Sequence, residues 1–209
     1  MTQFVIYIAL CAANIILVQL INYTILSDQL RFDFLAQNFT PEQIRLIVVN
    51  SKIWGWVGYA TIPILVAFKV AAITFCLSLG HLYFFSRLEY KKILNAVLRS
   101  EFIFLAPLAL KLFWFNFIEE DFAPIDFQTF SPLSVTVFYE AHALSSWIIY
   151  PMQTINLFEL CYVFYLSVRI KKEMAVSFWD SLKIVLIPYL TLLVFWLAIA
   201  TYLTISLFP

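Results

Sequence analysis

Phe4 to Leu26 runs without a single charged residue. About 20 apolar residues suffice to cross the hydrocarbon of a bilayer, so the pattern predicts a first span over residues 4–26. Asn14, Gln19 and Asn22 are its polar members, and inside a membrane such groups usually hydrogen-bond to neighbouring helices. Residues 27–52 are polar. Within them Thr40-Pro41-Glu42-Gln43 reads as a helix start. Thr40 stands at the N-cap, Pro41 at the first helical position, and Gln43 where it closes a capping box. Phe39 and Ile44 are placed to pack as a hydrophobic staple. Ile44, Ile47, Val48 and Ser51 then share one side, which predicts a short amphipathic helix over 41–50 at the membrane surface.

Ile53 to Ser86 is almost entirely apolar. As one straight helix it would be about 50 Å long, more than the ~30 Å hydrocarbon core. No turn signal divides it, so it reads as one tilted span over 57–86, with Gly55, Gly58 and Pro63 allowing a bend at its start. A basic connector, Arg87 to Arg99, leads into a third span at 101–118. An acidic loop occupies 119–140, and a fourth span runs over 141–169. A second basic connector ends at Lys183, and a fifth span covers 184–208. The expected architecture is all-α: a polytopic transmembrane helical bundle of five spans in one domain, 1–209.

Composition supports lipid as the solvent. Hydrophobic residues make up 63% of the chain and charged residues 12%, whereas a soluble domain carries about 25% charged residues. Lys+Arg and Asp+Glu both number 13, a balance that gives no reason to expect nucleic acid as a partner. Cys11, Cys76 and Cys161 all lie inside apolar runs with no C-x-x-C spacing, which excludes a disulfide framework or a zinc site as the reading. No Lys or Arg precedes Phe4, so the first span is expected to be uncleaved.

Charge also orients the spans. The connectors carry Arg87, Lys91, Lys92 and Arg99 in one case and Arg169, Lys171, Lys172 and Lys183 in the other. The loop at 119–140 has no Lys or Arg but holds Glu119, Glu120, Asp121, Asp126 and Glu140. The positive-inside rule puts both connectors in the cytoplasm. The N-terminus is then inside, residues 27–52 are outside, and the C-terminus is outside.

The candidate chemistry centres on the fourth span, where Gln153, Asn156 and Glu159 interrupt the apolar run. An ionisable group inside a span usually faces protein or water and marks function. Counting from the cytoplasmic ends at ~1.5 Å per residue puts Glu159 about 15 Å deep, Lys111 about 18 Å and Lys69 about 27 Å. By this count Lys111 is the partner of Glu159, and Lys69 snorkels outward. Three readings follow: a Glu159–Lys111 ion pair, a proton or ion path through Glu159, Asn156 and Gln153, or contact with a helix of another chain. His81 and His142 fall near opposite membrane faces and cannot share a metal. The acidic loop lacks the ordered spacing of an EF-hand and reads as a solvated, topology-setting loop. No catalytic motif is present, so neither an enzyme, a metal site nor a cofactor is expected.

Two stretches, FFSRLEYKKILNAVLRSEFIFLAPLALKLFWF and SFWDSLKIVLIPYLTLLVFWL, each lead from a short connector with aromatic and basic residues straight into a span. In this, and in its five-span layout, the chain resembles the Yip1-like membrane proteins over roughly Ile53 to Leu207. The resemblance implies an adaptor role with no catalytic residues. The sequence therefore points to a non-enzymatic accessory or scaffold subunit of a membrane complex, in the lipid bilayer of a bacterial inner membrane and beside other membrane-protein subunits. The alternative is a small transporter or channel component using the Glu159, Asn156 and Gln153 face.

Overall fold

The structure is a computed structural model, and it describes residues 2–25, 35–36, 39–85, 88–119, 122, 124–139 and 145–207. Among these every regular element is helical. Helix α1 spans Gln3–Thr24 and α2 Pro41–Phe85. Helix α3, Tyr90–Ser100, passes through a 3-10 turn at Glu101–Phe104 into α4, Leu105–Phe117. Three shorter helices follow: α5, Pro124–Thr129; a 3-10 turn, Val135–Phe138; and α6, Ser146–Thr154. Helix α7, Leu157–Met174, and α8, Phe178–Leu207, complete the chain. Among the described residues four stretches are long and apolar enough to cross a membrane: Gln3–Thr24, Ile53–Phe85, Tyr90–Phe117 and Phe178–Ser206.

Helix α2 starts where the capping signal places it. Gln43 Oε1 accepts the Thr40 backbone N–H at 3.0 Å and the Thr40 hydroxyl at 3.2 Å. Only one arm of the capping box is made, and Gln43 supplies it. Gln43→Ala should therefore cost about 1 kcal/mol of local helix stability, seen as faster amide exchange over residues 40–44. Thr40→Ala, which keeps the backbone donor, should cost less, and the reverse ranking would show that Thr40 is the cap. The amphipathic stretch at 41–50 is not a separate surface helix. It runs unbroken into the span as one helix of 45 residues, because nothing between Asn50 and Pro63 ends it. Gly55 and Gly58 stay out of the positive-φ region, and Pro63 lies inside the helix, its carbonyl accepting the Tyr7 hydroxyl at 2.8 Å.

The basic connector is likewise part of the bundle. Ile93, Ala96 and Val97 recur at helical spacing on α3 and are completely buried, while Lys91 and Lys92 on the same helix are exposed. Such an amphipathic helix buries one stripe and leaves the other wet. The apolar stripe of α3 meets Val70, Ile73 and Leu77 of α2 and Leu166 and Ile170 of α7 in the main core. Helix α8 starts at Phe178, ahead of the predicted 184. The Ser177 hydroxyl accepts the Asp180 N–H at 3.1 Å and donates to its carboxylate at 2.7 Å, a reciprocal cap.

Two ends of the bundle can be told apart. At one, Gln3 Nε2 donates to the Lys91 carbonyl at 2.7 Å, and Asn95 Nδ2 donates to Glu173 at 2.7 Å. At the other, Asn116 Nδ2 donates to the Thr24 hydroxyl at 3.2 Å. The N-terminus and both basic connectors thus share an end, and α8 runs from that end to the opposite one.

The predicted span 141–169 departs most from expectation. Residues 140–144 lie outside the described residues, and the remainder is two helices, α6 and α7, separated at Ile155 and Asn156. Both lie antiparallel along α8. Trp196 Nε1 donates to the Tyr150 hydroxyl at 2.7 Å, the Tyr189 hydroxyl donates to Glu159, and Phe164 meets Phe178 at 5.6 Å between ring centroids. The break therefore falls beside the middle of α8.

Candidate functional site

Pro151 sits inside α6 and removes one helical donor in the turn before it, and behind it the Ile155 N–H still donates to the Pro151 carbonyl at 3.3 Å. Ile155 and Asn156 then leave the helical region, with Asn156 extended at φ −139°, ψ 163°. Asn156 stabilises both sides of the gap. Its Oδ1 accepts the Glu159 N–H at 2.8 Å, which caps α7. Its Nδ2 donates to the carbonyls of Gln153 and Thr154 at 2.9 and 3.2 Å.

A returning segment satisfies two more of the freed backbone groups. Val135 N–H donates to the Ile155 carbonyl, and Leu157 N–H donates to the Leu133 carbonyl, both at 3.1 Å. A single antiparallel bridge joins Ser134 to Asn156. Gln153 Nε2 donates to the Thr129 carbonyl at 3.0 Å. Leu133 takes a positive φ of 56° to make this turn. Buried backbone polar groups need partners, and here residues 124–139 supply them. The acidic stretch 119–140 is therefore not simply a solvated loop. Thr129, Ser134 and Thr136 are buried, and Phe122, Phe127 and Phe130 close around Phe115 of α4. Glu120, Asp121 and Glu140 lie outside the described residues.

Beside the break stands Glu159, whose carboxyl group accepts the Tyr189 hydroxyl of α8. Tyr189 packs on Tyr162 with ring centroids 5.3 Å apart. The Tyr162 hydroxyl donates to Glu101 Oε1 at 2.9 Å, and Lys69 Nζ donates to Glu101 Oε2 at 2.8 Å. Glu101 is buried within the 3-10 turn, and the Lys69 side chain is 43% exposed. The Lys69 ammonium also lies 3.6 Å from the centre of the Phe104 ring, a favourable contact for a cation. The result is a polar chain across the core, Lys69–Glu101–Tyr162 followed by Tyr189–Glu159.

The predicted Glu159–Lys111 pair is not formed. Lys111 Nζ lies 4.1 Å above the Phe127 ring, and the cation on the Glu159 side of the core is Lys69. The depth count failed because it began the third span at 101. The helix begins at Tyr90, so Glu101 is the mid-span residue and Lys111 lies towards the far end. Asn156 and Gln153 stay with Glu159, but at a gap between two helices rather than on one continuous helical face. Glu101, Tyr162 and Tyr189 were missed. The available signal was the phenol hydroxyl, since a buried Tyr usually finds a hydrogen-bond partner. His81 is buried and stacks on Phe85 at 5.3 Å, and His142 lies outside the described residues. Among the described residues no three His, Cys, Asp or Glu side chains are grouped to hold a metal.

Comparison with protein-family models, with curated proteins and with solved structures finds no match. The site itself carries the functional argument.

Proposed function

We propose that the chain is a small membrane transport component that passes protons through Glu159. The observation that carries this reading is a buried carboxyl group beside a mid-span helix break, linked through two phenols to a second carboxylate and a lysine. Discontinuous helices supply binding sites near the midplane in many transporters. A proton fits better than a metal cation, because the carbonyls at the break are engaged. Those of Gln153 and Thr154 are taken by Asn156, and that of Ile155 by Val135, so they form no open ring to replace an ion's hydration shell. A carboxyl group needs no such ring. Glu159 gains or loses one proton, and the Tyr189 hydroxyl can turn to donate to the ionised form or accept from the neutral one. The half-exposed Lys69 opens the other end of the chain of polar groups.

In this reading α6 and α7 make a fifth, discontinuous crossing. The end that holds the N-terminus and both basic connectors is cytoplasmic. Proteoliposomes carrying a pH-sensitive dye provide the test. Under an imposed potential, wild-type protein should acidify or alkalinise the lumen, Glu159→Gln should fall to the level of empty liposomes, and Lys111→Met should retain flux. Wild-type protein that matches empty liposomes would overturn the proposal.

A second reading, an accessory or scaffold subunit, is favoured by one observation. The Lys69 side chain is 43% exposed midway along a spanning helix, where lipid solvates charge poorly. Another membrane chain covering that face would resolve the exposure. The Yip1-like resemblance and a place in a bacterial inner membrane belong with this reading. Pull-down from mild detergent, with Lys69→Met as the control that should lose the partner, separates it from the first.

A further inference from the structure

We propose that the cleft between α4 and the returning segment is a binding site for the phosphate head of an anionic membrane lipid, with Lys111 as its cationic anchor. The inference stands apart from proton passage, because Lys111 has no contact with Glu159. The cleft has a volume of about 290 Å³, close to the lower bound of small-molecule sites. Its walls are apolar, formed by Phe104, Pro107, Leu108, Phe130 and Pro132, and its polar groups are Lys111, Ser131 and Gln153.

Charge is the first part of the argument. Among the described residues no carboxylate pairs with Lys111, and its ammonium has only the Phe127 ring, 4.1 Å from its centre. A ring face attracts a cation but does not neutralise it. An unneutralised charge in an apolar setting is costly, so the site is complementary to an anion. Shape and depth are the second part. Lys111 lies six positions before Phe117 at the end of α4, about 9 Å along the helix. With the end of α4 taken as the membrane surface, Lys111 stands near the boundary between acyl chains and headgroups. The apolar walls suit an acyl chain or glycerol backbone, and Lys111, Ser131 and Gln153 bring polar groups to the same cleft. More than one donor suits a phosphate, which accepts on several oxygens.

Native mass spectrometry of delipidated protein in detergent tests the site with named probes. Wild-type protein should retain dioleoylphosphatidylglycerol and should bind dioleoylglycerol, which lacks the phosphate, about tenfold more weakly, the scale of one charge-assisted hydrogen bond. Lys111→Gln should lose that preference, and Lys111→Arg should keep it. Soluble glycerol phosphate should bind far more weakly than the lipid, and equal binding would show that a free phosphate is the ligand instead of a lipid. Trp114 stacks on Phe130 of the cleft wall at 5.2 Å, which gives a readout on wild-type protein if Lys111→Gln does not fold. Chain-brominated phosphatidylglycerol should quench tryptophan fluorescence more than the brominated diacylglycerol, and Trp114→Phe should remove the difference. Binding or quenching indifferent to the headgroup, or unchanged in Lys111→Gln, would overturn the proposal.

Discussion

Replacing Lys69 with Met should destabilise the protein by about 3 kcal/mol, and adding Glu101→Leu to the same chain should recover part of that loss, the remainder being the Tyr162 hydroxyl left without its acceptor. Breaking a buried ion pair costs about 3–5 kcal/mol, because the remaining charge is left buried without a partner, whereas replacing both partners with apolar groups is often tolerated. Here the stranded charge would be Glu101, which is buried and holds Lys69 at 2.8 Å. The Tyr162 hydroxyl, at 2.9 Å, would still donate to it but cannot neutralise it. The lower end of the range applies because that range describes fully buried pairs and the Lys69 side chain is 43% exposed. Glu101→Leu alone should be as damaging, since it leaves the Tyr162 hydroxyl unpaired as well as the ammonium. Thermal unfolding of the four proteins in detergent, wild type, both singles and the double, measures the coupling. Additive effects would remove the pair from the account of stability. The same cycle on Glu159→Gln and Lys111→Met should be additive, because those two side chains meet different partners.

Gly80→Ala should destabilise the protein even though alanine is the better helix former. Intrinsic propensity favours alanine over glycine by about 1 kcal/mol in a helix interior. Gly80 lies inside α2, and that gain would be available if the site were open. It is not open: a Cβ at Gly80 would come within 2.5 Å of Cγ of Pro188 on α8. A proline ring is held by its own backbone and cannot swing away as a long side chain would. The helices must separate instead, and overpacking of this kind costs about 1–3 kcal/mol. The net effect should be a loss of up to about 2 kcal/mol, with part of the α2–α8 contact opened. Pro188→Ala in the same chain removes the obstructing ring, so the double variant should be more stable than Gly80→Ala alone. If Gly80→Ala raises the unfolding midpoint, the close approach of α2 and α8 is wrong. Gly55 and Gly58 are the internal control. A Cβ at either meets nothing within 4 Å, so alanine there should be neutral or stabilising.

Several features were legible in the sequence because they depend on one residue or one short window. Apolar run length and low charge identify spanning helices without reference to any neighbour. The helix start at Pro41 follows from Thr40 and Gln43 alone, and Gln43 does make the contact expected of it. The polar trio Gln153, Asn156 and Glu159 stood out within an apolar run, and all three are at the break. Pairing was decided only by the tertiary structure. Lipid is as apolar as a protein interior, so hydrophobicity cannot show which face of a spanning helix meets protein. Whether Glu159 meets Lys111, Lys69 or Tyr189 depends on the depth and rotation of three helices at once. An error of one helix start, 101 instead of 90, was enough to select the wrong lysine. The break at Ile155 and Asn156 shows the same limit. Pro151 weakens the helix locally, but the gap beyond it is held by Leu133 and Val135, which supply two of its missing hydrogen bonds. A window over 141–169 contains neither residue, so hydropathy read one continuous span where the fold holds two helices and a cap.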